Sequence, residues 1–221
     1  DIAVLDPIFN SGPDYLAILH EFRRLGFVGR LSLQCRFELV NQDFLDACQG
    51  LNVRLEFGLQ TIHEEEGRAI HRINHMDRVE QAIYELTRRS LPYEVSLIFG
   101  LPQQTLFSFL QTVDYCLTRG VPTIRAFPLM LLRGTELAEH REDFGLVENQ
   151  DVIPAVVKSH SFTETDWCSM AAIAAALEQT VGNHPPNAAA LISQVSKHGA
   201  LVTGRYTPTL PALAAGSNSL V

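Results

Sequence analysis

Closely spaced cysteines are what this sequence most plainly lacks. Cys35, Cys48, Cys116 and Cys168 lie far apart, and none forms CxxC or CxxxCxxC. Those spacings bring thiolates within reach of one metal ion or iron–sulfur cluster, so no metal ligands are expected among this chain's own residues. Scattered cysteines are expected instead as small buried hydrophobes. Lysine is nearly absent too. Lys158 and Lys197 are the only two, and both fall beyond the regular strand-bearing region, which leaves a Schiff-base lyase or aldolase without a nucleophile. Positive charge is in deficit, with 17 Lys and Arg against 25 Asp and Glu and a net charge of −8. A basic field for nucleic-acid binding is therefore missing. No apolar run approaches the roughly 20 residues of a membrane span, and residues 170–177 form only a short alanine-rich stretch. Phosphate-binding glycine loops and a secretory leader pattern are absent as well. The expectation is a cytoplasmic protein with neither nucleic acid nor membrane as partner.

What is present is an ordinary globular balance, 46% hydrophobic and 19% charged over 221 residues, enough for a sizeable core. Strand-like runs at 2–6, 31–36, 53–59, 93–99 and 123–129 alternate with amphipathic stretches at 14–25, 42–49, 77–89 and 105–119. Gly26, Gly50 and Gly120 stand where helices should end, and Asp14 and Asp77 where they should begin. Strand–helix alternation of this kind predicts βαβ units and a parallel sheet. Residues 146–180 predict an extension with a short apolar run at 152–157 and a helix over 166–179, and residues 181–221 predict a weakly ordered tail.

The strands favour a barrel over a doubly wound sheet. Leu31, Leu33 and Cys35 alternate with Ser32, Gln34 and Arg36; Val53, Leu55, Phe57 and Leu59 alternate with Arg54, Glu56, Gly58 and Gln60. Val95, Leu97 and Phe99 likewise oppose Glu94, Ser96 and Ile98. A sheet covered by helices on both faces is apolar on both, whereas here one face stays polar and suits a ligand-holding lumen. Charges such as Arg54 and Glu56 then require partners.

Four elements occur in order: Glu56-Phe57-Gly58-Leu59-Gln60-Thr61 at the end of the third strand; Arg72 within Ala69-Ile70-His71-Arg72-Ile73-Asn74; Gly100-Leu101-Pro102-Gln103-Gln104-Thr105 after the fourth strand; and Phe127-Pro128-Leu129 with Leu132-Arg133-Gly134-Thr135 after the fifth. Together they resemble the radical S-adenosylmethionine superfamily, in its branches related to oxygen-independent coproporphyrinogen oxidase and to cobalamin-dependent members. The resemblance spans residues 1–140. It implies an α/β fold, a partial (βα)6 TIM-like barrel with strands two to six present and the first strand and cluster loop missing. It also implies a barrel domain over 1–145. The chain opens at Asp1 in a strand-like run, and the expectation is a piece of a longer enzyme, inactive by itself.

By that resemblance Gln60 and Arg72 bind S-adenosylmethionine. Independent chemistry agrees: an amide at the carboxyl end of a parallel strand can donate to and accept from an amino acid or a ribose, and a guanidinium fork fits a carboxylate. Ile98 would face the adenine, with Gly100 and Pro102 turning the chain beside it. Asp6 stands where many members carry Gly-Gly-Glu-Pro, and Gln34 where related members carry glutamate for the ribose. The alternative role for Asp6 is to cap a turn, and for Gln34 to satisfy a polar interior. The implied cofactors are S-adenosylmethionine and a [4Fe–4S] cluster in the parent. The implied partners are a small-molecule or peptide substrate and a reductant such as flavodoxin or ferredoxin. The rival from another class is a cluster-less barrel remnant acting as a binding or scaffold module. His63, Glu64–Glu66, His71 and His75 predict a solvated charged loop rather than a metal site.

Overall fold

The computed structural model describes the backbone of residues 1–197 and side chains through residue 194. Five parallel strands form the sheet: β1 (Ile2–Val4), β2 (Leu31–Cys35), β3 (Val53–Gln60), β4 (Tyr93–Phe99) and β5 (Ile124–Pro128). Their spatial order is their chain order, β1-β2-β3-β4-β5. A doubly wound sheet reverses direction at a switch point; this one winds in a single direction, as a barrel wall does. The helices between the strands are α1 (Tyr15–Arg24), α2 (Gln42–Cys48), α3 (Glu64–Ala69), α4 (Met76–Arg88) and α5 (Leu106–Thr118).

Local chemistry sets these boundaries. Asn41 accepts a hydrogen bond from the Phe44 amide to start α2, and Thr105 and Ser108 cap each other's backbone to start α5. Gly26, Gly50 and Gly120 adopt positive φ after their helices, as expected. The apolar residues of β2 and β3 are buried in strict alternation. Phe57 stacks on Phe37 at 4.4 Å with the rings 11° apart, and Phe44, Phe109, Leu86 and Leu97 are fully enclosed. Each such side chain is worth about 2–3 kcal/mol of burial.

The opposite face is polar, and its charges are paired. Arg54 grips Glu94 with two nitrogens, Nε at 2.9 Å, while Arg125 Nε lies 3.7 Å from the same carboxylate. Ser96 donates to Glu56 Oε1 at 3.0 Å. These pairs form two layers at the amino-terminal and middle levels of the sheet, leaving the carboxyl end for other chemistry.

Beyond β5 come α6 (Glu136–Glu139), an antiparallel hairpin of β6 (Val147–Glu148) and β7 (Val156–Lys158), α7 (Glu164–Gln179) and α8 (Ala188–Lys197). Of the apolar run at 152–157 only its end is strand. Val152 and Ile153 stand in solvent, and Val156 donates its amide to Leu129 O at 2.8 Å, joining the hairpin to the end of β5. Helix α7 starts two residues before its expected start because Thr163 and Asp166 form a capping box. Helix α8 falls inside the segment expected to be a weakly ordered tail. It packs on α5 and α7, buries Ala188 and Leu191, and its first amide donates to Asp114 Oδ1 at 2.8 Å. The rest of that expectation, from residue 198, lies outside the described residues. No described helix is long and apolar enough to cross a membrane.

Candidate functional site

The carboxyl end of β3 is built around a strained residue. Gln60 has φ 65°, at a register shift between Gly58 and Gln60, and the Thr61 amide donates back to Leu59 O at 2.8 Å. A three-residue turn with positive φ at a non-glycine residue is rare and costs free energy. The surroundings hold it in place: Asn74 Nδ2 donates to both Leu59 O at 2.7 Å and Thr61 O at 2.9 Å. Two further non-glycine residues with positive φ, His71 and Gln103, adjoin Arg72 and the loop after β4. Strain gathers at this end of the sheet.

The structure brings Gln60 and Arg72 together. Arg72 Nη2 donates to Gly58 O at 2.6 Å. A Cβ placed on Gly58 would lie 2.7 Å from Gln60 Nε2 and 2.9 Å from Arg72 Nη2, so both side chains lie over this glycine on the polar face. Gln60 Oε1 and Arg72 Nε are nevertheless buried without a hydrogen-bond partner. Buried polar groups are rarely left so. Desolvation, with Arg36 nearby, lowers the pKa of the Arg72 guanidinium, and Glu38 opposes the shift; at neutral pH it remains a cation. Beside Arg72 opens a cavity of about 870 Å³, with Glu38, Thr61, His63, Asn74 and Asp77 on its wall. Gln60 is not on that wall, so the cavity and the Gln60–Arg72 pair meet at Arg72.

The other expected residues are placed less tightly. Ile98 is half-buried on the same face as Glu94 and Ser96, opposite Phe127 in register. Gln34 is exposed at its level of that face. Asp6 is exposed and its Oδ1 accepts from the Ile8 amide at 2.9 Å, the turn-capping geometry. Gly100 has φ 86°, and the close approach it permits is to the Val156 carbonyl, 3.0 Å from where its Cβ would stand. Its amide is taken by Gln104 Oε1 at 2.7 Å. The glycine thus serves the joint with the β6–β7 hairpin, a reason the sequence did not show.

The stretch expected as a solvated charged loop is a correction. Residues 64–69 form helix α3, with Glu66 buried on its inner side while Glu64 and Glu65 are exposed. Its inward pull has a local cause: Thr61 Oγ1 donates to Glu66 Oε2 at 2.6 Å. Asn10 is a second residue the sequence reading missed. It is buried and exchanges two 2.9 Å bonds with the Arg36 backbone, clamping the loop after β1 to the end of β2. His71 sits between α3 and α4, and His75 stands before the first residue of α4, so their spacing does not put them on one helix face.

A [4Fe–4S] cluster finds no fit here. Among the described residues no group of three or more His, Cys, Asp or Glu could hold a metal ion. Cys35, Cys48 and Cys116 are buried behind the sheet, and burial pushes their thiols up, those of Cys48 and Cys116 to about 12. Such thiols stay protonated at neutral pH and are poor ligands.

Comparison with known proteins bears on this geometry. No family model matches the sequence. Over 94 residues the chain is 37% identical to protein YhcC of Escherichia coli K12, covering 41% of this chain and 29% of that protein. Among solved structures, it is similar to TsrM from Kitasatospora setae, a radical S-adenosylmethionine methyltransferase with tryptophan substrate and a SAM analogue bound. The TM-score is 0.57 at 20% identity, over 71% of this chain and 33% of that one. The chain shares the fold of the matched part of that structure. Elp3 of Methanocaldococcus infernus is also similar, with a TM-score of 0.60 at 14% identity over 89% of this chain and 54% of that one. The chain therefore spans under a third of the Escherichia coli relative it matches and a third of TsrM.

Proposed function

We propose that this chain is the cofactor-holding part of a radical S-adenosylmethionine enzyme and that it binds S-adenosylmethionine over Gly58. The observation that carries the reading is the pair of buried, unpartnered polar atoms, Gln60 Oε1 and Arg72 Nε, on two side chains that meet at one glycine. The ligand supplies both complements. Its carboxylate accepts from the Arg72 guanidinium, and its ammonium or ribose hydroxyl donates to Gln60. Ile98 offers an apolar contact to the adenine, with Gln34 and Asp6 as outer candidates toward β2 and β1.

In such enzymes the bound cofactor supplies a 5′-deoxyadenosyl radical on reductive cleavage, and that chemistry requires a [4Fe–4S] cluster. The described residues do not fit one, so the chain's part in the reaction is to bind the cofactor, orient it and keep water from it. The finer reading is that these are strands two to six of a (βα)6 barrel. In it the cluster ligands, the substrate contacts and the docking of a flavodoxin- or ferredoxin-like reductant come from the rest of a longer protein. The short spans covered in the matched proteins support that reading.

Titration of S-adenosylmethionine into the full chain tests the binding claim. Arg72→Ala should weaken binding by about 10- to 100-fold, the worth of one or two charge-assisted bonds. Arg72→Lys should not restore it, because an ammonium lacks the planar fork. Equal affinities for wild type and Arg72→Ala would remove the assignment.

A further inference from the structure

We propose that Glu66 is a positioning residue of this site: its buried carboxyl group fastens the strand end that carries Gln60 to the loop after β4, while the same turn of α3 sets Arg72. The proposal rests on the reading of Gln60 and Arg72 as S-adenosylmethionine contacts. Glu66, Thr61 and Gln104 are 3%, 1% and 0% exposed. Glu66 Oε2 accepts from Thr61 Oγ1 at 2.6 Å and from Gln104 Nε2 at 3.3 Å. Thr61 directly follows Gln60, so the first bond holds the strained end of β3. Gln104 carries the link onward. Its Oε1 accepts from the Gly100 amide at 2.7 Å and the Leu101 amide at 3.3 Å, and its Nε2 also donates to Ile98 O at 3.1 Å.

The third connection runs through the next residue. The Arg72 amide donates to Gly67 O at 2.8 Å, and a Cβ on Gly67 would stand 2.6 Å from Arg72 O. Only glycine lets the Arg72 backbone come so close. Residues 66 and 67 thus touch the segments bearing Gln60 and Arg72 and the loop after β4, whose Gln104 bonds the Ile98 carbonyl. None of the ion pairs among the described residues involves Glu66, so its partners here are neutral donors. Removing the acceptor would leave the Thr61 hydroxyl and one Gln104 N–H without it in a site closed to water. The segments would then be free to shift relative to one another by the fraction of an ångström that spoils a bidentate contact.

Three variants of the full chain separate positioning from plain stability: Glu66→Gln, which keeps an acceptor in place, Glu66→Leu, which removes it, and Thr61→Val, which removes one donor. Each is titrated with S-adenosylmethionine at a temperature where it is folded, and its backbone amide exchange is measured without ligand. Glu66→Leu should weaken binding about tenfold and speed exchange at Gly100 and Leu101, whereas Glu66→Gln stays within about twofold of wild type on both. Thr61→Val should weaken binding about threefold while Gly100 and Leu101 stay protected, since Gln104 still holds Glu66; it decides the matter if Glu66→Leu does not fold. A merely structural carboxyl would lower the unfolding midpoint and leave affinity and local exchange unchanged, and that result overturns the proposal. So does a Glu66→Gln variant as weak as Glu66→Leu. Wild type that binds no S-adenosylmethionine would instead overturn the cofactor reading, and exchange at Gly100 and Leu101 would still decide the link.

Discussion

Gln60 is held in a conformation its side chain disfavours, and the cost of such a residue is on the order of 1–3 kcal/mol. Three bonds around it, from Thr61 and the Asn74 amide, maintain the turn. A residue kept strained for ligand contact should be replaceable at a gain in stability. Gln60→Gly is therefore expected to raise the unfolding free energy by about 0.5–1 kcal/mol, because glycine adopts positive φ without penalty, and to reduce S-adenosylmethionine affinity at least about tenfold. Urea unfolding and titration of the same sample check both halves, and a Gln60→Gly chain that binds as well as wild type would make the strain incidental. At this scale the sequence showed which residues carry the motifs, Gln60 and Arg72 above all. It did not show their supports. Glu66 lies in a run of three glutamates, Glu64–Glu66, that is indistinguishable from a solvated face until its burial is seen. Asn74 and Asn10 are single amides whose partners are backbone atoms far along the chain.

Strands and long helices were legible from their periods, although Asp77, expected to cap α4, stands inside its first turn behind the N-cap His75. The run at 93–99 coincides with β4, and α4 and α5 fall within a residue of their expected ends. Short elements were not. The six residues of α3 give too little periodicity to separate helix from loop, and β6 and β7 pair through two short segments flanking Pro154. Helix α8 was lost in an alanine-rich stretch where composition outweighs pattern. Its neighbourhood also contains a titratable joint. His184 Nε2 accepts from the Ile124 amide at 3.2 Å, and its Nδ1 lies 2.8 Å from Thr180 Oγ1, tying the start of β5 to the end of α7. An accepting Nε2 requires the neutral ring, and desolvation lowers the histidine's pKa below its ordinary 6.5. The unfolded chain then takes up a proton below about pH 6.5 that the folded chain resists. This contribution to stability is full above that pH and declines as pH falls toward the folded value. Comparing urea midpoints at two pH values on either side of 6.5, wild type should lose more stability on acidification than His184→Ala. Equal losses would show that the ring does not titrate with folding.

At the scale of the whole molecule, the main sheet of the described residues is singly wound and parallel, with one apolar face under helices and one polar face layered from Arg54 and Glu94 up to Gln60. The polarity of its two faces was readable from alternation in the sequence, because a buried face and a polar face impose different chemistry on the two parities of a strand. On the proposed reading this polar face is a cofactor surface, and no group of cluster ligands lies among the described residues. Anaerobic treatment of the full chain with iron and sulfide should accordingly leave no stable cluster absorbance, and a thiolate-held cluster formed on these cysteines would contradict that assignment. The central claim is the location of S-adenosylmethionine, and a crystal structure of the chain with that ligand tests it most directly. The account predicts the ligand over Gly58, its carboxylate about 3 Å from the Arg72 guanidinium and a donor about 3 Å from Gln60 Oε1. A ligand bound elsewhere, with both atoms still unpartnered, would contradict it.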